Sequence, residues 1–321
     1  MPSTRWLGWL VCLANQRLGD KSLHLKCSHV PAASLLPKRE ICAEHGAVFP
    51  MSTPSRTQQR AFFETFGFLK LPGLLKAEAG RIIADFESVF VTHGLKHDGT
   101  QRTSVVPFVD QNAGLCALLD HPGILEAVGN LLGPDFNYVG SDGNYYTGET
   151  TWHRDSNYQS NSYLKLALYL DPVTKDTGCL RVIPGSHTEA GLAAWGDVQL
   201  RSAEVNWGVH QRELPAYPIE SQPGDVLLFN HRTLHASFGG GTRRRMFTMN
   251  LGRRAKTSPE IDDLISYCDW HMLGHGSGQP YGKIMLETAS PARKVHLTQP
   301  FDVWNAILEH HRIRKAQVAT M

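Results

Sequence analysis

The sequence predicts a mainly β fold with flanking helices, its core an antiparallel barrel or a jelly roll. Three observations carry that expectation. Between Phe136 and Gly252, short apolar segments alternate with clusters of Gly, Pro, Asp and Asn, as strands do when no helices intervene. Ahead of Phe136 the apolar residues recur at helical spacing. Helical spacing returns near the C-terminus, at Val303, Trp304, Ile307 and Leu308.

The elements follow in order. Ser55 and Thr57 are candidate N-caps for a helix that runs through Phe66 and ends at Gly67. Phe68–Gly73 (FLKLPG) reads as a strand closed by a Pro-Gly turn. Lys76–His93 is expected to be helical, with Ile82, Ile83, Phe86, Val89 and Phe90 on one face. Cys116–Leu132 predicts a further helix, with Pro122 at a break near its start and Gly133-Pro134 as its stop. Strands are expected at Tyr163–Leu170, Leu180–Ile183, Asp225–Phe229 and Met246–Leu251, and a last helix at Phe301–Ile313. Residues 51–321 are therefore expected to form one domain, with a β core over about 136–252 and a helical tail over about 255–321.

Composition narrows the class. Of the 321 residues 41% are hydrophobic and 19% charged, enough apolar content for a sizeable core. The formal net charge of +2 gives no reason to expect nucleic acid or a membrane surface as partner. Cysteines at 12, 27, 42, 116, 179 and 268 form no CxxC and read as free thiols in a reducing compartment. Residues 1–50 are expected to be a disordered N-terminal extension, because Met51 opens MSTPSRTQQR as a start would. The expected location is the cytoplasm, although Trp6–Ala14 leaves a targeting segment open.

The chemistry sits in three pieces of the β region. In Thr151-Trp152-His153-Arg154-Asp155 the histidine and aspartate stand two apart, so an extended chain aims both at one side. Gly224–Phe229 then reads as a turn entering a buried strand, followed by Asn230-His231-Arg232-Thr233-Leu234-His235. Two imidazoles and one carboxylate suit Fe(II) and leave coordination positions for a cosubstrate and O2. His231 and His235 compete as the second histidine; the strand-and-turn character of the segment favours His235. Finally, one of Arg243, Arg244 and Arg245 at the start of an inward-facing strand could grip a carboxylate with both prongs. Alternation sets Arg244 with Met246, Thr248 and Asn250 on one face and the other two arginines on the opposite one.

Over roughly residues 60–255 the chain resembles the phytanoyl-CoA dioxygenase family of Fe(II)/2-oxoglutarate oxygenases. The pieces that carry the resemblance are FFETFGFLKLPGLL, WHRD, LKLALYLDPVTKDTGCLRVIPGSH and GDVLLFNHRTLHAS with RRRMFTMNL, in that order. The resemblance implies a double-stranded β-helix (jelly roll, cupin-like) with iron held by His153, Asp155 and His235. It implies that Arg244, with Arg245 as the fallback register, anchors the far carboxylate of 2-oxoglutarate, supported by the Ser237 hydroxyl. Asn144 or Tyr146 could also donate to the cosubstrate. Pro184-Gly185-Ser186-His187 reads as a structural turn. The implied reaction is hydroxylation of a C–H bond of a small molecule, with 2-oxoglutarate and O2 going to succinate and CO2. Halogenases resembling the family lack the carboxylate that Asp155 supplies here.

Around that centre, Arg102, Trp152 and Arg154 are candidate substrate residues. Specificity is expected from the loops Lys96–Asp110, Gln159–Tyr163 and Gly191–Gln211 and from the tail after Arg254. These segments and their neighbours carry Trp195, Trp207, Tyr217, Trp270, His271 and Tyr281. Nothing in them marks a CoA thioester site. Two other readings stay open at this stage: a cupin-type metalloenzyme that does not use 2-oxoglutarate, and a non-catalytic barrel that binds a small molecule.

Overall fold

The computed structural model describes residues 54–271 and 279–319. The expectation for residues 1–50 lies outside them, as do Cys12, Cys27 and Cys42. Helix α1 (Arg56–Phe66) starts at Ser55, whose hydroxyl accepts from the Gln58 N–H while the Gln58 side chain accepts from the Ser55 N–H. That reciprocal pair satisfies two donors a helix start would leave bare, and Thr57 falls inside the helix. Gly67, with φ of 82°, closes α1 in a left-handed turn that L side chains avoid.

Strand β1 (Phe68–Leu71) follows, then α2 (Ala79–Thr92) with Ile82, Phe86, Val89 and Phe90 buried. Short strand β2 (Thr103–Val105) leads to α3 (Ala113–Cys116) and a 3-10 turn at Ala117–Asp120. Helix α4 begins at Pro122 and ends at Leu132. The single helix expected over Cys116–Leu132 is therefore three pieces. Proline lacks the N–H that would tie it to the preceding turn, so it starts a helix more readily than it continues one.

The β core comprises β3 (Asn137–Tyr146), β4 (Thr150–His153), β5 (Tyr163–Tyr169) and β6 (Leu180–Val182). Three short helices intervene, α5 (Glu189–Ala194), α6 (Asp197–Arg201) and α7 (Ala203–Trp207), which the strand spacing did not predict. Then come β7 (Tyr217–Ile219), β8 (Val226–Asn230), β9 (His235–Ser237) and β10 (Arg244–Gly252). The chain closes with α8 (Ser258–His271), α9 (Lys283–Glu287), α10 (Pro291–Asp302) and α11 (Trp304–Ala319). The helix expected at Phe301–Ile313 straddles the break between α10 and α11 at Val303. Apolar spacing cannot register an interruption of one residue. Among the described residues no helix is long and apolar enough to cross a membrane.

The strands form two antiparallel sheets, β1-β8-β5-β10-β3-β2 and β4-β9-β6-β7. They are not joined by hydrogen bonds into one closed barrel, so the core is a jelly roll. Strand parity sorts the side chains. Leu164, Leu166 and Leu168 of β5 and Phe247, Met249 and Leu251 of β10 face the helices and join the main core with Phe86, Ile124 and Tyr267. Ala167, Tyr169, Phe229 and Met246 face the other sheet and meet Leu180, Val182 and Ile219. Because β5 is covered on both faces, it reads as a nearly unbroken apolar run. Each such large side chain contributes about 1.5–3 kcal/mol by leaving water.

Candidate metal centre

His153 ends β4 and His235 opens β9, and the two are paired directly across the four-stranded sheet. Their ring centroids are 4.1 Å apart. Asp155 leaves the strand just after His153, its N–H held 2.9 Å from the His231 carbonyl. Its carboxylate oxygens lie 3.9 Å from His153 Nε2 and 3.7 Å from His235 Nε2. One ligand atom from each of the three residues falls within 4.8 Å of the others. His231 is not in this group; its ring turns towards Tyr267.

Both imidazoles are locked in the same tautomer. His153 Nδ1 is 2.8 Å from the Thr151 carbonyl and His235 Nδ1 2.9 Å from the Thr233 carbonyl. A carbonyl only accepts, so each Nδ1 carries the proton and each Nε2 offers a lone pair. Burial drives the His235 pKa down to about 4 against the pull of Asp155, so the ring is neutral at pH 7. Burial alone would raise the Asp155 carboxyl, but Lys165 and the neighbouring histidines hold it well below the usual range. Asp155 Oδ2 is buried and has no hydrogen-bond partner. A buried carboxylate with one oxygen left bare, beside two imidazole lone pairs, is a cation site by its chemistry.

These atoms open onto a cavity of about 200 Å³ between the sheets. At another part of its wall Arg244 opens β10, 5% exposed, with Nε and Nη1 unpartnered. Space for the guanidinium comes from two loops. A Cβ built at Gly178 (φ +92°) or at Gly240 would overlap Arg244 Nη1. Ser237 also lines the cavity, its hydroxyl donating to the Gly178 carbonyl at 2.8 Å. Arg245 points to the other face, where it binds Asp171 and, at 2.9 Å, Glu87; Arg243 meets Glu87 at the surface.

The sequence pattern of the phytanoyl-CoA dioxygenase (PhyH) family matches residues 63–246, more than half of the chain. The chain belongs to that family. None of the curated proteins matches it. Among solved structures it is similar to HygX from Streptomyces hygroscopicus, with nickel and 2-oxoglutarate bound, at 17% identity and a TM-score of 0.50. That match covers 62% of this chain and 87% of HygX. SnoK, a non-heme alpha ketoglutarate dependent carbocyclase from nogalamycin biosynthesis, matches at 21% identity over 60% of this chain and 83% of its own, TM-score 0.49. EctD from S. alaskensis, solved with 2-oxoglutarate and 5-hydroxyectoine, matches at 21% identity over 64% and 80%, TM-score 0.48. At such identities the likeness is one of fold.

Within this PhyH-family fold the remaining candidates divide. Arg102 lines the cavity, its guanidinium 4.6 Å above the Tyr146 ring and 3.6 Å from Asp142. Asn144 does not: it is fully buried, accepting from Arg102 Nε at 2.7 Å and donating to Asp142. The cause is β2, which pairs beside β3 and brings Arg102 over Asn144, so of Asn144 and Tyr146 it is Tyr146 that meets the cavity. Trp152 is also fully buried, packed with Leu200, Leu234 and Phe238, its indole N–H on the Gln211 carbonyl; it fills core. Arg154 clamps the carbonyls of Arg232 and Trp195 at 3.0 and 2.9 Å, away from the cavity. Tyr281 is buried against Tyr138, while Trp195, Trp207, Tyr217 and Trp270 are exposed; none of them lines the cavity. The His271 side chain lies outside the described residues.

Two charged residues of the cavity wall escaped the sequence reading, Lys165 and Asp142. The signal for Lys165 was present, a lone charge in the apolar run YLKLALYL, at inward parity with Ala167 and Tyr169. The Pro184–His187 turn is structural as expected: buried Ser186 accepts the Leu234 N–H at 2.8 Å, one residue before His235.

Proposed function

We propose that this chain is an Fe(II)- and 2-oxoglutarate-dependent oxygenase that hydroxylates a C–H bond of a small molecule. The reaction would convert 2-oxoglutarate and O2 to succinate and CO2. The observation that carries the reading is a conjunction in one cavity: the Asp155 carboxylate, its Oδ2 bare, lies beside two imidazole lone pairs, and a buried guanidinium with two unpartnered nitrogens shares the wall. Donors of that kind suit Fe(II), and an arginine fork suits a carboxylate that enters beside the metal.

His153, Asp155 and His235 would hold the iron, and Arg244 with Ser237 the far carboxylate of the cosubstrate. Iron with 2-oxoglutarate supplies, when bound, the oxidation of an unactivated C–H bond. The protein orients the groups and restricts water. The Thr151 and Thr233 carbonyls keep the Nε2 atoms presented, and the Gly178 and Gly240 cradle holds Arg244 at the cavity wall. Asp155 supplies the carboxylate ligand, which favours hydroxylation over halogen transfer. Arg102 and Tyr146 are left on the wall for the substrate.

Anaerobic addition of Fe(II) and 2-oxoglutarate is expected to raise the visible charge-transfer band of a chelated 2-oxo acid. His153→Ala should abolish the band, and Arg244→Ala should demand far more 2-oxoglutarate to raise it. A folded, metal-loaded protein that shows no band would overturn the reading.

A further inference from the structure

Lys165 stands on the inner face of β5 with its side chain 16% exposed and its Nζ 2.9 Å from Asp155 Oδ1. Among the described residues its ammonium donates to Asp155. The nearby Asp142 adds to its hold, but that carboxylate is already engaged by Thr248, Asn144 and Arg102. A buried ammonium is tolerated only when paired. Here its partner is also the anion of the metal triad.

With a divalent cation in the triad, the single charge of Asp155 serves both that cation and the ammonium. Arg102 and Asp142 offset each other, so the cation, Lys165 and Arg244 together outweigh Asp155. The cavity then calls for a ligand with two negative charges placed apart. Register separates the two side chains: Lys165 pairs with Asn250, at the opposite end of β10 from Arg244. At a strand rise of about 3.3 Å per residue their backbones are roughly 20 Å apart, and both side chains reach inward.

We propose that Lys165 receives the carboxylate at the keto end of the 2-oxo acid, so that two cations, Lys165 and Arg244, hold the two ends of the cosubstrate. The inference rests on the 2-oxoglutarate reading and adds a residue to it. Lys165 is already at hydrogen-bond distance from a metal ligand, where the chelating end of a 2-oxo acid arrives. Arg244 takes the other end.

Pyruvate distinguishes the two cations, because it has the keto-end carboxylate and lacks the far one. Binding of pyruvate and of 2-oxoglutarate to the full-length Co(II)-loaded protein is followed through the cobalt absorption spectrum, with metal content measured in each variant. Lys165→Met is expected to weaken both acids by a similar factor, roughly 10- to 100-fold for a lost charge-assisted hydrogen bond. Arg244→Met should weaken 2-oxoglutarate alone. Lys165→Arg, which keeps the cation, should stay within a few-fold of the native protein. Metal-loaded Lys165→Met that binds both acids normally would overturn the proposal. So would loss of the metal itself in both Lys165 variants, which would make the lysine a support for Asp155 only. Native protein that binds cobalt but neither acid would instead remove the oxygenase reading on which the proposal rests.

Discussion

Three consecutive arginines divide between scaffold and cavity by strand parity alone. Arg245 lies on the outer face, where its guanidinium meets both Asp171 oxygens and its backbone N–H donates to Asp171 at 2.8 Å. Burial alone would raise the Asp171 carboxyl, but Arg245 outweighs it and holds it below the ordinary value. Arg245→Ala would leave Asp171 without its cation, while Glu87 keeps Arg243, and is expected to cost about 2–4 kcal/mol by chemical denaturation. Arg243→Ala, at an exposed ion pair, should cost under about 1 kcal/mol. The pH dependence follows from the direction of the shift. A carboxyl with a depressed folded pKa stabilises above its unfolded value of about 4, and that contribution fades as pH falls through the folded value. The gap between native and Arg245→Ala stability should therefore narrow below about pH 4; a gap constant down to pH 2 would contradict the assignment.

The turn between β8 and β9 is the element that sets the metal strand in place. The Gly67 carbonyl, at the end of α1, accepts from the Asn230 N–H and from the Thr233 hydroxyl, and the His231 carbonyl accepts from Asp155. Ser186 takes the Leu234 N–H. Ser186→Ala leaves that N–H unpaired in a buried place, which is expected to cost about 1–3 kcal/mol. Ser55→Ala, at the exposed cap of α1, should cost about 1 kcal/mol and leave metal affinity unchanged. Isothermal titration with Co(II) checks the contrast: Ser186→Ala should bind the metal more weakly than Ser55→Ala. Much of this arrangement was legible because turn chemistry is local, as at Ser55, Gly67 and Pro184–His187. Helices α5 to α7 were not, since five or six residues give too short a stretch for a period of 3.6 to declare itself. Nor was the burial of Asn144, which depends on a residue 42 positions away. Lys165 shows the same limit from the other side: parity gives the face, but only the assembled sheets reveal that Asp155 lies across from it.

At the scale of the molecule, the main core and the metal site sit on opposite faces of one sheet. Phe86, Phe136, Tyr138 and Tyr267 pack between that sheet and the helices, while on its other side Arg244 shares a cavity with Asp155 and with His235 of the second sheet. Metal should therefore stabilise the fold without creating it, unlike a domain whose core is its ion. Treating the holoprotein with a chelator is expected to leave its far-UV circular dichroism intact. Metal at about a hundred times its dissociation constant would add about 2.7 kcal/mol, a rise of roughly 5–10 °C in melting temperature for a domain of this size class. The metal-free protein should also be sensitive to acid through His235. Its imidazole binds a proton more weakly in the fold, at about 4, than in the unfolded chain, at about 6.5. Between those values the unfolded chain takes up more protons, so stability falls as pH drops from about 6.5 to 4 and falls no further on this account below 4. His235→Gln should flatten that part of the metal-free stability profile. A profile just as steep in the variant would place the acid sensitivity elsewhere, and loss of secondary structure with the metal would refute the separation of core from site.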